Sequence, residues 1–142
     1  MGSTVASVTK PLPIITPDSA PFWQSCCNGQ LRLQRCVHCT AWRYPPAPVC
    51  RRCGATEAEW LPTSQHGRIH SFVIYHRPFH PAYTTEVPYA VALVDLDEGI
   101  RMLLRVVDSP LASLAIGVPG DIRYEQVTSE IALPVFTPRG AQ

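Results

Sequence analysis

The sequence predicts a mainly β chain in which an N-terminal helix and a small four-cysteine module precede a five-stranded barrel. Three observations support this fold class. Four of the six cysteines form two C-x-x-C pairs between positions 36 and 53. The 15 prolines among 142 residues limit helix, because proline removes a backbone donor and clashes inside a helical turn. After position 66, short segments rich in β-branched and aromatic residues alternate with turn residues.

The N-terminal region is predicted to form an arm followed by one short helix. Residues 1–17 contain Ser, Thr and Pro without a hydrophobic period, and we expect a flexible or extended arm. Asp18 or Ser19 can cap the free backbone N–H groups of a helix start, and Pro21 suits a first turn. Asn28-Gly29 is expected to end the helix.

The cysteine pairs predict a metal centre. Leu31 and Leu33 alternate with polar residues, which indicates a strand leading into the first pair. Four thiolates form the closed tetrahedral site typical of structural zinc. Three prolines between the pairs stiffen a short loop that can bring them together. The sequence therefore predicts one structural zinc ion in a rubredoxin-like zinc ribbon, and its ligands are Cys36, Cys39, Cys50 and Cys53.

The same part of the sequence allows other roles for its cysteine and histidine residues. The four cysteines could be free or redox-active, but no βαβ pattern typical of thioredoxin accompanies them. His38 lies inside the first pair and could replace one cysteine as a ligand. Cys26 and Cys27 lie on the predicted helix and are expected to pack in the core, because free cysteine behaves as a small hydrophobe.

The second half of the chain is predicted to form an antiparallel barrel. Asp95 to Gly99 indicates a tight hairpin turn, the segment 109–116 a short helix or loop, and Gly117-Val118-Pro119-Gly120 a turn. Five strands in so short a chain favour the OB fold. The expected strands are 68–76, 89–97, 100–107, 121–127 and 131–136.

These elements divide the chain into four parts. We expect a flexible arm at 1–17, the helix and zinc ribbon at 18–62, the OB-fold domain at 63–138 and a tail at 139–142. Trp60 and Leu61 are expected to close the zinc module.

Composition constrains the function. The charged fraction is 16% and the net charge +1, so much of the surface is expected to lie against a partner, and a nucleic-acid partner is disfavoured. No apolar run approaches the roughly 20 residues that span a bilayer. The N-terminus lacks a basic start followed by an apolar stretch, so we expect a cytoplasmic protein.

One loop, 76–87, concentrates reactive side chains. Its His and Glu residues, together with His70, could serve as a general base or a second metal site, but contact with solvent or a partner is favoured over independent catalysis. A guanidinium grips phosphate well, and loop aromatics suit protein contact. The candidate contacts to a phosphate-bearing ligand or to a partner are Arg77, Phe79, His80 and Tyr83.

The ribbon segment is locally basic. A solvated face balanced by Glu57 and Glu59 is the expected role, and attraction to the phosphates of a ligand or of nucleic acid is the alternative. The arginines are Arg32, Arg35, Arg43, Arg51 and Arg52.

Several motifs in combination carry a family resemblance over residues 18–138. They are Pro21-Phe22-Trp23, Leu31-Arg32-Leu33-Gln34-Arg35-Cys36-x-x-Cys39, Tyr44-Pro45-Pro46-x-Pro48-x-Cys50-x-x-Cys53-Gly54, Trp60, Gly67-Arg68-Ile69-His70-Ser71-Phe72, Val87-Pro88-Tyr89 and Leu133-Pro134-x-Phe136. In this order they resemble the zinc-ribbon plus OB-fold proteins associated with acyl-CoA enzymes, first filed as a domain of unknown function.

The resemblance implies a docking role. It implies a non-catalytic accessory subunit in a hetero-oligomer with a thiolase-fold enzyme, an aldolase or thiolase, with acyl-CoA at the interface and a place in steroid side-chain degradation. Subunits of acyltransferase or MaoC-type hydratase complexes are the alternatives within the family. A nucleic-acid-binding module remains the alternative outside it.

Overall fold

The computed structural model describes residues 10–139. The first nine residues of the predicted arm and the last three of the predicted tail lie outside the described part. None of the described helices is long and apolar enough to cross a membrane. The elements are α1 (Ala20–Cys27), β1 (Arg32–Cys36), β2 (Trp42–Arg43), β3 (Ala58–Pro62), β4 (His66–Tyr75), β5 (Tyr89–Leu96), β6 (Arg101–Val106), β7 (Pro119–Gln126) and β8 (Ala132–Pro138), with 3-10 turns at Pro81–Tyr83 and Leu111–Ser113.

Helix α1 occupies the predicted place. It begins after Ser19, and Gly29 follows its end in the left-handed region at φ 72°. The predicted side-chain cap is wrong, because the Ser19 hydroxyl accepts a hydrogen bond from the Thr16 amide at 2.9 Å and bonds no helix amide. Phe22 and Cys26 are almost fully buried, so the helix is held by packing rather than by a side-chain cap.

The ribbon is a three-stranded antiparallel sheet in the order β2-β1-β3. Leu31 and Leu33, at the start of the central strand, are fully buried. Trp60 and Leu61 lie on β3, where Trp60 pairs with Gln34 of β1. They contribute to this module as an edge strand, an element that the sequence analysis did not predict.

The barrel contains the five predicted strands, and the predicted fold class is confirmed. They close in the order β4-β5-β6-β8-β7, and β4 pairs with β7 to complete the ring. The expectation of a wholly antiparallel barrel is wrong at one place, since β6 and β8 run parallel where Arg105 pairs with Val135. The reason is geometric: strand direction cannot alternate at every contact around a closed ring with an odd number of strands.

The barrel closes through two glycines. Gly67 on β4 pairs with Gly120 on β7. A Cβ at Gly120 would lie 2.5 Å from the Thr137 carbonyl oxygen and collide with the ring of Phe136, the largest fully buried side chain. The predicted turn at 117–120 is therefore too long, because Pro119 and Gly120 already belong to β7.

Candidate metal centre and loop site

The two cysteine pairs lie on turns with the same hydrogen-bond pattern. The Thr40 amide donates to the Cys36 carbonyl at 3.0 Å, and the Gly54 amide donates to the Cys50 carbonyl at 2.9 Å. Both donors follow the second cysteine of their pair and have positive φ, 64° for Thr40 and 80° for Gly54. This turn places two cysteine side chains on one side of the backbone in each pair.

The turns bring all four sulfurs together. The sulfurs of Cys36, Cys39, Cys50 and Cys53 all lie within 4.8 Å of one another. The Cys36 and Cys53 sulfurs are 3.5 Å apart, and those of Cys39 and Cys50 are 3.6 Å apart. Tetrahedral zinc with Zn–S bonds of about 2.3 Å holds its sulfurs about 3.8 Å apart. The donor set and spacing fit one zinc ion, which this group could hold.

Backbone amides favour the thiolate form of Cys36 and Cys50, the buried first cysteine of each pair. Hydrogen bonds from the amides of Cys53 and Arg52 lower the pKa of Cys50 to about 6. The amide of Cys39, whose nitrogen is 3.5 Å from the Cys36 sulfur, lowers the pKa of Cys36. A metal binds thiolate rather than thiol, so these amides prepare the cysteines as ligands.

The pKa of the exposed Cys53 is shifted in the opposite direction. The Ala55 amide lowers its pKa, but hydrogen bonding with the Cys36 sulfur and with the other two cysteines, together with desolvation, raises the pKa of Cys53 to about 11. With that pKa, the exposed Cys53 sulfur keeps its proton at neutral pH. Metal binding would displace this proton.

Two polar side chains hold the loop between the cysteine pairs. The Gln34 side-chain oxygen accepts from the Ala47 amide at 2.9 Å, and Arg43 Nη1 donates to the Ala47 carbonyl at 2.9 Å. Arg43 is 5% exposed, and its Nε and Nη2 have no partner among residues 10–139. The expectation that Arg43 forms part of a solvated basic face is therefore wrong, because it is buried to hold this loop.

The alternative ligands remain outside the sulfur cluster. His38 Nε2 lies 2.9 Å from the Glu57 carboxylate. Cys26 is buried as predicted, and desolvation raises its pKa to about 12. The half-buried Cys27 thiol donates to the Glu130 carbonyl at 3.2 Å. Within the described range, the four cysteines form the only group of His, Cys, Asp and Glu side chains with metal-binding geometry, so no second metal site appears around loop 76–87.

Loop 76–87 builds an aromatic surface against β4 and β5. The ring of Tyr83 stacks on Tyr89 at a centroid distance of 5.5 Å, and Tyr89 stacks on Tyr75 at 5.2 Å. Phe79 meets Tyr75 edge-on at 5.9 Å. We call these four residues the aromatic platform. With His80 they line an open groove of about 470 Å³.

The four predicted contact residues differ in position. Phe79 is 75% exposed, and the Arg77 guanidinium lies 6.0 Å from its ring centroid. His80 Nδ1 accepts from the Ala82 amide at 3.1 Å and thereby caps the 3-10 turn that carries Tyr83. The loop brings Phe79, His80 and Tyr83 to the same groove and leaves Arg77 beside Phe79. Their contact role stays a prediction.

An ion-pair network that the sequence analysis missed supports the platform. Glu86 pairs with Arg105 of β6 and, at 2.7 Å, with Lys10 of the arm. The hydrogen bond from Lys10, followed by that from Arg105, holds the pKa of Glu86 below its usual range despite desolvation. Arg105 also lies over Tyr89 at 4.6 Å, and Lys10 over Tyr83 at 5.2 Å. Arg105 occupies an outward position in the alternating pattern of β6, and this is the sequence feature that could have indicated the network.

His70 does not join this loop. Its Nδ1 lies 3.1 Å from the Asp95 carboxylate on β5, and that carboxylate also pairs with Arg101 at 2.7 Å. The predicted cluster of His70 with the loop histidines is therefore wrong for His70, whose partner comes from the neighbouring strand.

Two family models match the chain. The ChsH2 rubredoxin-like zinc ribbon domain covers residues 23–59, and the ChsH2 C-terminal OB-fold domain covers residues 60–124. The two matches follow the order of ribbon and barrel seen in the structure.

Similar proteins carry two kinds of name, hydratase alpha subunit and scaffold protein. The chain is 35% identical over 129 residues to a probable enoyl-CoA hydratase alpha subunit of Thermomonospora curvata, and 36% identical over 112 residues to the 3-oxo-4,17-pregnadiene-20-carboxyl-CoA hydratase alpha subunit of Mycobacterium tuberculosis. These matches cover 91% and 79% of the chain but only 40% and 35% of the relatives. A DUF35 domain-containing scaffold protein of Methanothermobacter thermautotrophicus is 33% identical, with 68% of the chain and 72% of that protein covered.

A solved structure agrees with these matches. The Ltp2-ChsH2(DUF35) aldolase contains a chain that superposes with a TM-score of 0.82 at 34% identity, covering 91% of this chain and 100% of that one. The resemblance seen in the sequence motifs is confirmed. The chain belongs to the DUF35 family of proteins with a ChsH2-type zinc ribbon and OB-fold domain.

Proposed function

We propose that this chain is a non-catalytic, zinc-binding accessory subunit that docks on a thiolase-fold enzyme acting on acyl-CoA, in an aldolase or thiolase complex. One observation carries the proposal: the chain covers the whole of its counterpart in the Ltp2-ChsH2(DUF35) aldolase. The name of the methanogen relative, a scaffold protein, supports the same kind of role.

The ribbon supplies the rigid part of this subunit. We assign Cys36, Cys39, Cys50 and Cys53 as the four zinc ligands, because their sulfurs lie at the separations that tetrahedral zinc requires. Four protein ligands leave no coordination position for substrate, so the zinc would stabilise the fold rather than take part in chemistry.

The loop site supplies the candidate contacts. Phe79, His80 and Tyr83 line the groove beside the barrel, and Arg77 stands next to them with an exposed guanidinium. Aromatic and arginine side chains are enriched at protein interfaces. Arg77 also has the geometry to grip a phosphate of CoA bound at the junction of the two subunits.

A steroid-derived acyl-CoA is the proposed substrate of the complex. The Mycobacterium tuberculosis relative is named for a pregnadiene carboxyl-CoA, which is a steroid thioester. Breakdown of a steroid side chain is the corresponding process.

A second candidate is a subunit of a hydratase complex. Two relatives are named as hydratase alpha subunits, which is the observation in its favour. More than half of each of those proteins lies outside the match, whereas the aldolase chain is matched throughout. The aldolase or thiolase complex is therefore the better supported of the two.

The test is co-expression of the full chain with a thiolase-fold enzyme from the same genome. We expect one peak in size-exclusion chromatography, zinc equal to the amount of this chain, and acyl-CoA turnover that falls when this chain is omitted. Separate elution together with full activity of the enzyme alone would refute the proposal. The same experiment with a MaoC-type hydratase subunit distinguishes the second candidate.

A further inference from the structure

Four aliphatic residues lie next to one another on the outer face of β4, β5 and β6, where Ser71 and Arg105 complete the same cross-strand rows. Along β5, Ala90, Ala92 and Val94 are fully buried inside the barrel, so the residues between them point outward. Cross-strand register places other outward residues beside them, since Val73 pairs with Val91 and Leu93 pairs with Leu103. We call the resulting row the aliphatic strip; it consists of Val73, Val91, Leu93 and Leu103.

This strip is open to solvent in the isolated chain. Val73 is 53% exposed and Leu103 is 69% exposed. The solvated face of an antiparallel sheet normally carries polar residues at such positions. The strip continues into the aromatic platform, because Tyr75 and Tyr89 form the next outward pair along the same two strands. Strip and platform together form one apolar face, and faces of this kind mark interaction sites.

The rim of the face is positively charged. Lys10, Arg77 and Arg105 lie over rings of the platform. Glu86 is the single carboxylate paired with Lys10 and Arg105. Arg77 has no carboxylate partner among the described residues, so the rim keeps a positive excess beside the apolar surface.

We propose that this face, aliphatic strip and aromatic platform together, is the surface that docks on a different protein, one that offers an apolar patch flanked by carboxylates. The inference rests on the proposed accessory function and names the surface and the partner chemistry for it. A second copy of this chain is the competing occupant, and it would appear as self-association of the isolated chain in size-exclusion chromatography. A nucleic acid fits less well, because phosphate contacts require a basic excess and the chain carries a net charge of only +1.

A pair of matched variants tests the apolar part. Leu103→Lys places a charge in the strip, and Ile116→Lys places the same charge at an isoleucine that is 74% exposed. The amide of Gly117 donates a hydrogen bond to the Ile69 carbonyl, on the side of β4 that faces away from β5. Its neighbour Ile116 therefore lies about three strand spacings, or about 14 Å along the sheet, from Leu103. With the co-expressed thiolase-fold enzyme, we expect L103K to weaken binding at least about tenfold and I116K to leave it unchanged.

A second pair tests the charge. Arg77→Glu reverses a rim cation, and Arg123→Glu reverses an exposed cation on β7, which is separated from β6 by β8 and lies outside the proposed face. We expect R77E to slow association several-fold and to flatten its dependence on salt, while R123E does neither. Each variant is first required to melt like the wild type and to retain its zinc.

The outcomes separate the two proposals. If the wild type binds the enzyme and L103K binds equally well, the surface assignment is overturned and the accessory function stands. If the wild type does not bind at all, the proposed function fails and the surface assignment fails with it. Binding that is lost in I116K as strongly as in L103K would also overturn the assignment.

Discussion

The hydroxyl of Tyr124 on β7 accepts a hydrogen bond from the backbone amide of Leu31 at 2.8 Å and donates one to the Gln65 side-chain oxygen. Burial raises the pKa of Tyr124, so the phenol keeps the proton that it donates. This contact joins the start of the ribbon to the barrel. Because both modules share one buried cluster, the seam is part of the core rather than a flexible link.

Replacing Tyr124 should weaken this seam. Tyr124→Phe removes the hydroxyl and keeps the ring, so the Leu31 amide loses its best acceptor. We expect a loss of about 1–2 kcal/mol in the free energy of unfolding, measured by denaturant titration. Tyr75→Phe is the control. This ring lies on the outer face of the barrel, and loss of its hydroxyl should change the free energy of unfolding by less than about 0.5 kcal/mol. Equal stability of Y124F and wild type would contradict the assignment.

Removing one sulfur should release the metal. Cys50→Ser takes away a buried sulfur whose pKa is lowered towards the thiolate form. We expect the bound zinc to fall from one ion per chain to near zero and the ribbon to lose its fold, since small zinc modules depend on metal for stability. Mass spectrometry of the metal content measures the loss. Cys27→Ser lies outside the cluster and should retain its zinc; normal zinc in C50S would refute the site.

The two C-x-x-C turns should respond oppositely when the residue with positive φ in each turn is exchanged. Thr40 has φ 64° at the place where Gly54 has φ 80°. Thr40→Gly relieves the strain of a β-branched side chain there, and we expect about 0.5–1 kcal/mol of stabilisation. Gly54→Ala should cost about 1 kcal/mol from φ alone, because a Cβ there meets nothing within 4 Å. Thermal unfolding of the zinc-loaded chain measures both changes, and the same sign for both would contradict the argument.

A methyl group at Gly120, where β7 pairs with β8, should destabilise the barrel. Gly120→Ala places Cβ 2.5 Å from the Thr137 carbonyl oxygen and against the Phe136 ring. We expect a loss of about 3 kcal/mol or failure to fold, because the backbone of β7 must shift to accept it. Gly99→Ala, where nothing lies within 4 Å, isolates the cost of positive φ and should lose only about 1 kcal/mol. Equal losses of stability for G120A and G99A in circular-dichroism melts would show that β7 can shift to accept a methyl group without further cost.

The Glu86 network should make stability depend on pH. The pKa of Glu86 is lowered in the folded chain by Lys10 and then Arg105, so its contribution is fully present above the unfolded pKa of about 4.3 and is lost as pH falls through the lower folded value. Glu86→Gln should therefore be less stable than wild type at neutral pH, and the difference should shrink below about pH 4. Urea titrations across this range measure it. Glu59→Gln, at an exposed carboxylate, should show no such trend.

Local spacing predicted the parts of this protein that local geometry builds. A C-x-x-C turn carries its own two sulfurs, and prolines 45, 46 and 48 limit where the second turn can go, so the zinc group was readable from the chain. Apolar runs on either side of a turn indicated β5 and β6 within a residue of their ends. Strands β2 and β3 were missed, because a two-residue strand and a half-exposed edge carry little pattern.

The sequence by itself determined the zinc chemistry, the strand-rich second half and the family, since each depends on the identity and spacing of neighbouring residues. Only the tertiary structure decided that Arg43 is buried, that Glu86 binds Lys10 and Arg105, and that Leu103 extends an open apolar row. These depend on register between strands that are distant in sequence. The physical reason is that alternation along one strand shows which residues share a face, whereas packing against other strands decides what that face meets.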